Sequence, residues 1–95
     1  MEKLNDQQRD AALEKLDDWQ AQGDAIARTF HLRDFARAID FVNAVAEMAE
    51  EVQHHPDIDI RYNKVTITLT THSAGGLTRN DIELAAGIDD IADAA

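Results

Sequence analysis

Pro56 divides the centre of this chain into two stretches whose apolar residues follow different periods. From Asp34 to Gln53 the residues Phe35, Ile39, Val42, Ala46, Ala49 and Val52 recur at three- and four-residue steps, the spacing of one face of an α-helix. Beyond the proline, Ile58, Ile60 and Tyr62 alternate with Asp57, Asp59 and Arg61, and Val65, Ile67 and Leu69 alternate with Thr66, Thr68 and Thr70. That is the period of half-buried strands, with Asn63-Lys64 as the expected turn of a hairpin. Proline lacks an amide donor and pushes its predecessor out of the helical region, so Pro56 is expected to end the helix. The passage from helix to strand therefore runs over His54 and His55.

The Phe35 to Val52 stripe is expected to face the core. A second apolar line, Phe41, Ala44, Val45 and Met48, lies well round the helix from it, giving more apolar surface than a solvent-facing helix of a monomer needs. Either the helix is deeply buried or it is shared between subunits. Upstream, Asn5 and Gln8 form a capping-box pair for a short peripheral helix, with Ala12, Leu13 and Leu16 on one side. Trp19 to Gln22 and Ala25 to Phe30 flank Gly23-Asp24 and read as a hairpin. After Gly75-Gly76, Thr78 and Asp81 make a Thr-x-x-Asp box for a last helix, whose apolar side is Leu84, Ala85, Ile88 and Ile91, with Ile82 off that stripe and Ala94 and Ala95 frayed.

These elements predict an α+β fold in one domain spanning residues 1–95: two layers, a four-stranded antiparallel sheet with helices packed on one face, order α-β-β-α-β-β-α. One-sided coverage follows because each strand has one apolar and one polar face. The order also reads as a duplicated strand-strand-helix unit.

Composition removes several classes of function. Nineteen Asp and Glu against nine Lys and Arg leave a net charge of −10, which argues against a nucleic-acid or anionic-membrane partner, since both need a basic footprint. Cysteine is absent, excluding disulfides, thiolate zinc sites and a cysteine nucleophile. Neither a signal-peptide core nor an apolar run near the ~20 residues of a membrane span is present, and the expected location is cytoplasmic. The lysine and glycine spacing of a phosphate loop is missing after Gly75-Gly76, as is a G-x-S-x-G elbow.

Histidine carries the remaining chemistry, because its unperturbed pKa lets it donate and accept protons near neutrality. The hairpin brings the start of its first strand beside the end of its second, so His54, His55 and His72 are expected at the same end of the sheet. Glu50 lies one helical turn before His54, where a carboxylate can hold one imidazole tautomer. Asp81 is placed to reach the same end besides capping its helix. His31, isolated between Phe30 and Leu32, reads as structural. Three histidines with acids nearby also suit zinc or non-haem iron, although neither an i, i+4 histidine pair nor an open HxH is present to preorganise ligands. The bland alternative is a solvated helix end whose histidines offset the C-terminal dipole.

Taken together, Glu50-x3-His54-His55-Pro56, Tyr62 after five further residues, His72 after nine and Asp81 after eight resemble the signature of the pterin-4a-carbinolamine dehydratases. Phe41-Val42-Asn43, Tyr62-Asn63-Lys64-Val65 and the run Thr71 to Thr78 are similar to that family as well. One departure is Ile58, where some relatives carry an aromatic residue. The resemblance implies a hydro-lyase that eliminates water from a 4a-hydroxytetrahydropterin without metal or other cofactor, in pterin recycling after aromatic amino acid hydroxylation. It places His54, His55 and His72 around the reacting carbon, with Glu50, Asp81 and, more weakly, Asp57 binding the pterin or orienting histidines. It also implies a homodimer or homotetramer, formed through sheet edges and the long helix, and coupling to a hydroxylase. Some animal relatives bind a homeodomain transcription factor through the helical surface. The alternative is a non-catalytic pterin-binding or protein-dimerisation module.

Overall fold

The computed structural model describes residues 2–95. Helix α1 (Asp6–Leu13) leads into strands β1 (Gln20–Gln22) and β2 (Ala25–His31), helix α2 (Phe35–Val52), strands β3 (Asp57–Arg61) and β4 (Lys64–Leu69), a single 3-10 turn (His72–Ala74) and helix α3 (Arg79–Ala94). The sheet order is β1-β2-β4-β3 and every pairing is antiparallel. The second strand of each strand-strand-helix unit thus lies inside and the first at an edge, as expected of a duplicated unit.

Register assigns the two faces. Ile26 pairs with Leu69, Arg28 with Ile67, Phe30 with Val65, and on the other side Ile67 pairs with Ile58, so these rows point toward the helices. Val65, Ile67, Leu69, Ile26 and Phe30 are all buried there, and each such side chain contributes roughly 1.5–3 kcal/mol. The opposite face carries Gln20, Ala27, Thr68 and Asp57 in one row and Thr29, Thr66 and Asp59 in the next, with the Thr29 and Thr66 hydroxyls 2.8 Å apart. Arg28 occupies a core-face position because its guanidinium has partners: it lies 4.2 Å over the Phe30 ring and donates to Asp89 Oδ1 at 2.7 Å. Trp19 Nε1 donates to the same oxygen at 2.9 Å, which ties the first hairpin to α3.

The burial of α2 corrects the sequence reading. Ala38, Phe41, Val45 and Ala49 are the buried residues, whereas Phe35 and Val52, at the ends of the expected core stripe, are 51% and 55% exposed. A helix apolar around more than half its circumference offers two stripes at helical spacing, and its own periodicity does not choose between them. The neighbours choose. Phe41 packs against Phe30 with ring centroids 4.8 Å apart and the rings tilted by 45°, and the small Ala38 and Ala49 are buried on the same helix. Gly87 of α3 lies under Met48, and a Cβ there would come within 2.6 Å of its sulfur.

Smaller differences concern ends. The hairpin turn is Tyr62-Asn63, since Arg61 pairs with Lys64, and Tyr62 has φ 53°. Leu16 is buried but lies beyond α1, Ile82 is partly buried against the core, and Ala94 is still helical. His31 is exposed at the end of β2. The capping of α1 is as expected, with Asn5 and Gln8 exchanging side-chain bonds to each other's amides.

Candidate active site

The helix α2 stops before the proline is reached. Gln53 adopts a left-handed conformation (φ 54°, ψ 44°), its amide bonds to the Glu50 carbonyl at 3.3 Å, and the His54 amide bonds to the Ala49 carbonyl at 3.1 Å. This is the Schellman pattern, in which a left-handed residue turns the chain off the helix axis. Pro56 then prevents resumption three residues later. Gln53 rather than Pro56 therefore splays the two histidines, contrary to the sequence expectation.

The two imidazoles take different partners. His54 turns inward: its side chain is 12% exposed, and its Nε2 lies 2.5 Å from Oδ1 of Asp81, which is fully buried. A carboxylate only accepts, so the hydrogen sits on Nε2. Every buried side-chain nitrogen or oxygen among the described residues has a hydrogen-bond partner, and Nδ1 of His54 has none, so Nδ1 is open to solvent. His55 turns outward and pairs through Nε2 with Glu50, at 58% and 71% exposure. Glu50 thus holds His55 and not His54, because the left-handed turn at Gln53 moves His54 off the helical face that Glu50 shares.

Asp81 is held from three sides. Besides His54, its Oδ2 accepts from the Thr71 hydroxyl at 2.7 Å and from the Thr78 amide at 2.9 Å, the latter being the expected capping contact of α3. His72 begins the 3-10 turn and is exposed; with Asp24, Ala25, Thr70, Gly75 and Gly76 it lines a shallow cavity of about 260 Å³. Asp57 is exposed on the polar face of the sheet opposite Thr68. Register confirms that the start of β3 and the end of β4 are neighbours, through the Asp57 to Thr68 pair. No group of three His, Asp or Glu placed to hold a metal ion occurs among the described residues.

The family model described as Pterin 4 alpha carbinolamine dehydratase matches residues 2–91. This chain belongs to that family. It is 55% identical, over 96% of each chain, to a Nocardia farcinica protein provisionally named pterin-4-alpha-carbinolamine dehydratase. Among solved structures it is similar to a transcriptional coactivator/pterin dehydratase from Brucella melitensis, with a TM-score of 0.92 and 39% identity over 95% of this chain and 98% of that one. A pterin dehydratase-like protein identified as a RuBisCO assembly factor in the alpha-carboxysome matches with a TM-score of 0.64 and 27% identity over 78% of this chain and 86% of that one.

Two polar residues in this pterin dehydratase family member escape a search for acids and histidines. Thr71 is one, and its position directly before His72 was the available signal. Gln53 is the other, and nothing in a glutamine ending an apolar helix marks it for a left-handed conformation. A concavity of about 670 Å³ between the first half of α2 and the end of α3 includes Leu32, Arg37, Phe41 and Ile91. It lies at the other end of α2 from His54 and holds none of the motif residues.

Proposed function

We propose that this chain is a hydro-lyase that removes water from a 4a-hydroxytetrahydropterin to give the quinonoid dihydropterin. The observation that carries the reading is the His54 ring, held through Nε2 by a buried carboxylate and open at Nδ1. The reaction breaks the bond between the ring carbon and its hydroxyl, and the hydroxyl leaves as water after gaining a proton. The neighbouring ring nitrogen loses a proton as its double bond to that carbon forms. No electron is exchanged with a second reagent, so the chemistry asks only for a placed base and a placed acid, worth about 10²–10⁴-fold when well positioned.

In this scheme His54 Nδ1 accepts the nitrogen's proton and Asp81 stabilises the imidazolium that forms. His55 and His72, both exposed, are the groups that meet the leaving hydroxyl, with Glu50 orienting His55 and Asp57 available to the amide and guanidine edge of the pterin. The free backbone edge of β3 and the exposed Phe35 and Val52 support assembly into a homodimer or homotetramer. A cytoplasmic role beside an aromatic amino acid hydroxylase completes the reading; no helix among the described residues is long and apolar enough to cross a membrane.

A second reading, a non-catalytic pterin-binding or dimerisation module, draws on the solved relatives, one titled coactivator as well as dehydratase and the other an assembly factor. Stopped-flow measurement of carbinolamine dehydration separates the two. The lyase reading expects acceleration by the wild-type protein and its loss in both His54→Ala and His55→Ala with the fold intact. Pterin or partner binding with no turnover would establish the module instead.

A further inference from the structure

We infer that Thr71 is a positioning residue that fixes the Asp81 carboxylate beneath His54 with its hydroxyl and closes the loop of His72 with its backbone. The inference rests on the lyase reading for its kinetic consequence but on geometry for its structural one.

The direction of each hydrogen bond can be assigned. Thr71 has one hydroxyl hydrogen, and Asp81 Oδ2 at 2.7 Å takes it. The Thr78 hydroxyl, 2.8 Å from Thr71 Oγ1, must then be the donor in that contact. The result is a one-way chain: Thr78 hydroxyl to Thr71 hydroxyl to Asp81 Oδ2, with Asp81 Oδ1 facing the Nε2 hydrogen of His54. With Thr78 N–H also on Oδ2, the carboxylate plane is fixed and only a ring bearing its hydrogen on Nε2 is accommodated. A buried carboxylate with satisfied lone pairs has no low-cost alternative orientation.

The backbone of the same residue serves the other histidine. Thr71 N–H donates to the Gly76 carbonyl at 3.0 Å and Gly76 N–H returns to the Thr71 carbonyl at 3.3 Å, an isolated bridge that closes the loop containing His72. Inside it, Ala74 N–H bonds to the Thr71 carbonyl at 3.0 Å, and Gly75, at φ 75°, bonds back to the His72 carbonyl at 3.0 Å. His72 makes no side-chain hydrogen bond among the described residues, so the loop closure is what restricts where its ring can go. Thr71 stands at the one point where the network under His54 and the base of the His72 loop meet.

Thr71→Val removes the hydroxyl and keeps the branched shape, and Thr71→Ser keeps the hydroxyl. In wild-type protein, long-range ¹H–¹⁵N spectra of the imidazoles are expected to show His54 with its hydrogen on Nε2. In Thr71→Val the Asp81 carboxylate loses a donor and shifts beneath the ring, so the His54 nitrogen shifts move while the hydrogen stays on Nε2, and kcat falls about tenfold with KM within twofold, as for loss of a hydrogen bond to a charged group; Thr71→Ser restores both. A wild-type His54 with its hydrogen on Nδ1 overturns the inference, as do unchanged His54 nitrogen shifts in a folded Thr71→Val or Thr71→Ala protein. If wild-type protein shows no turnover, the lyase reading fails by itself, and the nitrogen spectra still decide the role of Thr71.

Discussion

His54 and Asp81 meet at 2.5 Å across 27 residues of sequence, joining the exit of α2 to the first turn of α3. The carboxylate therefore serves two masters, capping α3 at Thr78 and holding an imidazole whose other nitrogen is open. A residue with both duties links the stability of the helix to the readiness of the site.

Replacing Asp81 by Asn tests that link. An amide keeps the shape but cannot accept from Thr71, from Thr78 N–H and from His54 Nε2 as the carboxylate does, so one or more of these buried groups loses its partner. Urea unfolding should show a loss of about 1–3 kcal/mol, and carbinolamine dehydration should slow by roughly 100-fold. Glu50→Gln provides the contrast, because the Glu50 to His55 pair is solvent-exposed and should change stability by less than about 0.5 kcal/mol. Loss of turnover in Glu50→Gln without loss of stability then reports on chemistry alone.

The left-handed conformation of Gln53 predicts a stabilising substitution. A side chain other than glycine in that region is strained by roughly 1 kcal/mol, and Gln53 regains part of this through the bond from its amide side chain to the Glu50 carbonyl at 2.6 Å. Gln53→Gly should raise the unfolding free energy by about 0.5–1 kcal/mol, measured by denaturant titration. A decrease would mean that the side-chain bond outweighs the strain.

Two phenylalanines of α2 separate its core stripe from its outer one. Phe41 is buried against Phe30, and Phe41→Ala should cost about 3–5 kcal/mol. Phe35 is half exposed, and Phe35→Ala should change the stability of a monomer by less than about 0.5 kcal/mol. Sedimentation velocity across a dilution series supplies the second reading of that variant: weakened self-association places Phe35 in a subunit interface, and an unchanged profile removes α2's outer stripe from the assembly.

Local pattern alone was enough for the element order, the capping of α1 by Asn5 and Gln8, and the opposite faces of β4, because strand alternation and capping boxes are set by residues a few positions apart. The candidate site residues could be proposed for a similar reason: the spacing from Glu50 to Asp81 is a linear pattern even though its members sit on different elements. Partner choice was not. Whether Glu50 meets His54 or His55 depends on a backbone reversal at Gln53 that no propensity favours, and Thr71 becomes a partner of Asp81 only once β4 and α3 are packed. The buried stripe of α2 was equally undetermined, since a helix apolar on two sides satisfies helical periodicity twice. The sequence by itself determined which segments form helices and strands and which residue types gather at one end of the sheet. Tertiary packing decided which face of α2 is buried and which carboxylate holds which histidine, because both depend on contacts between segments far apart in the chain.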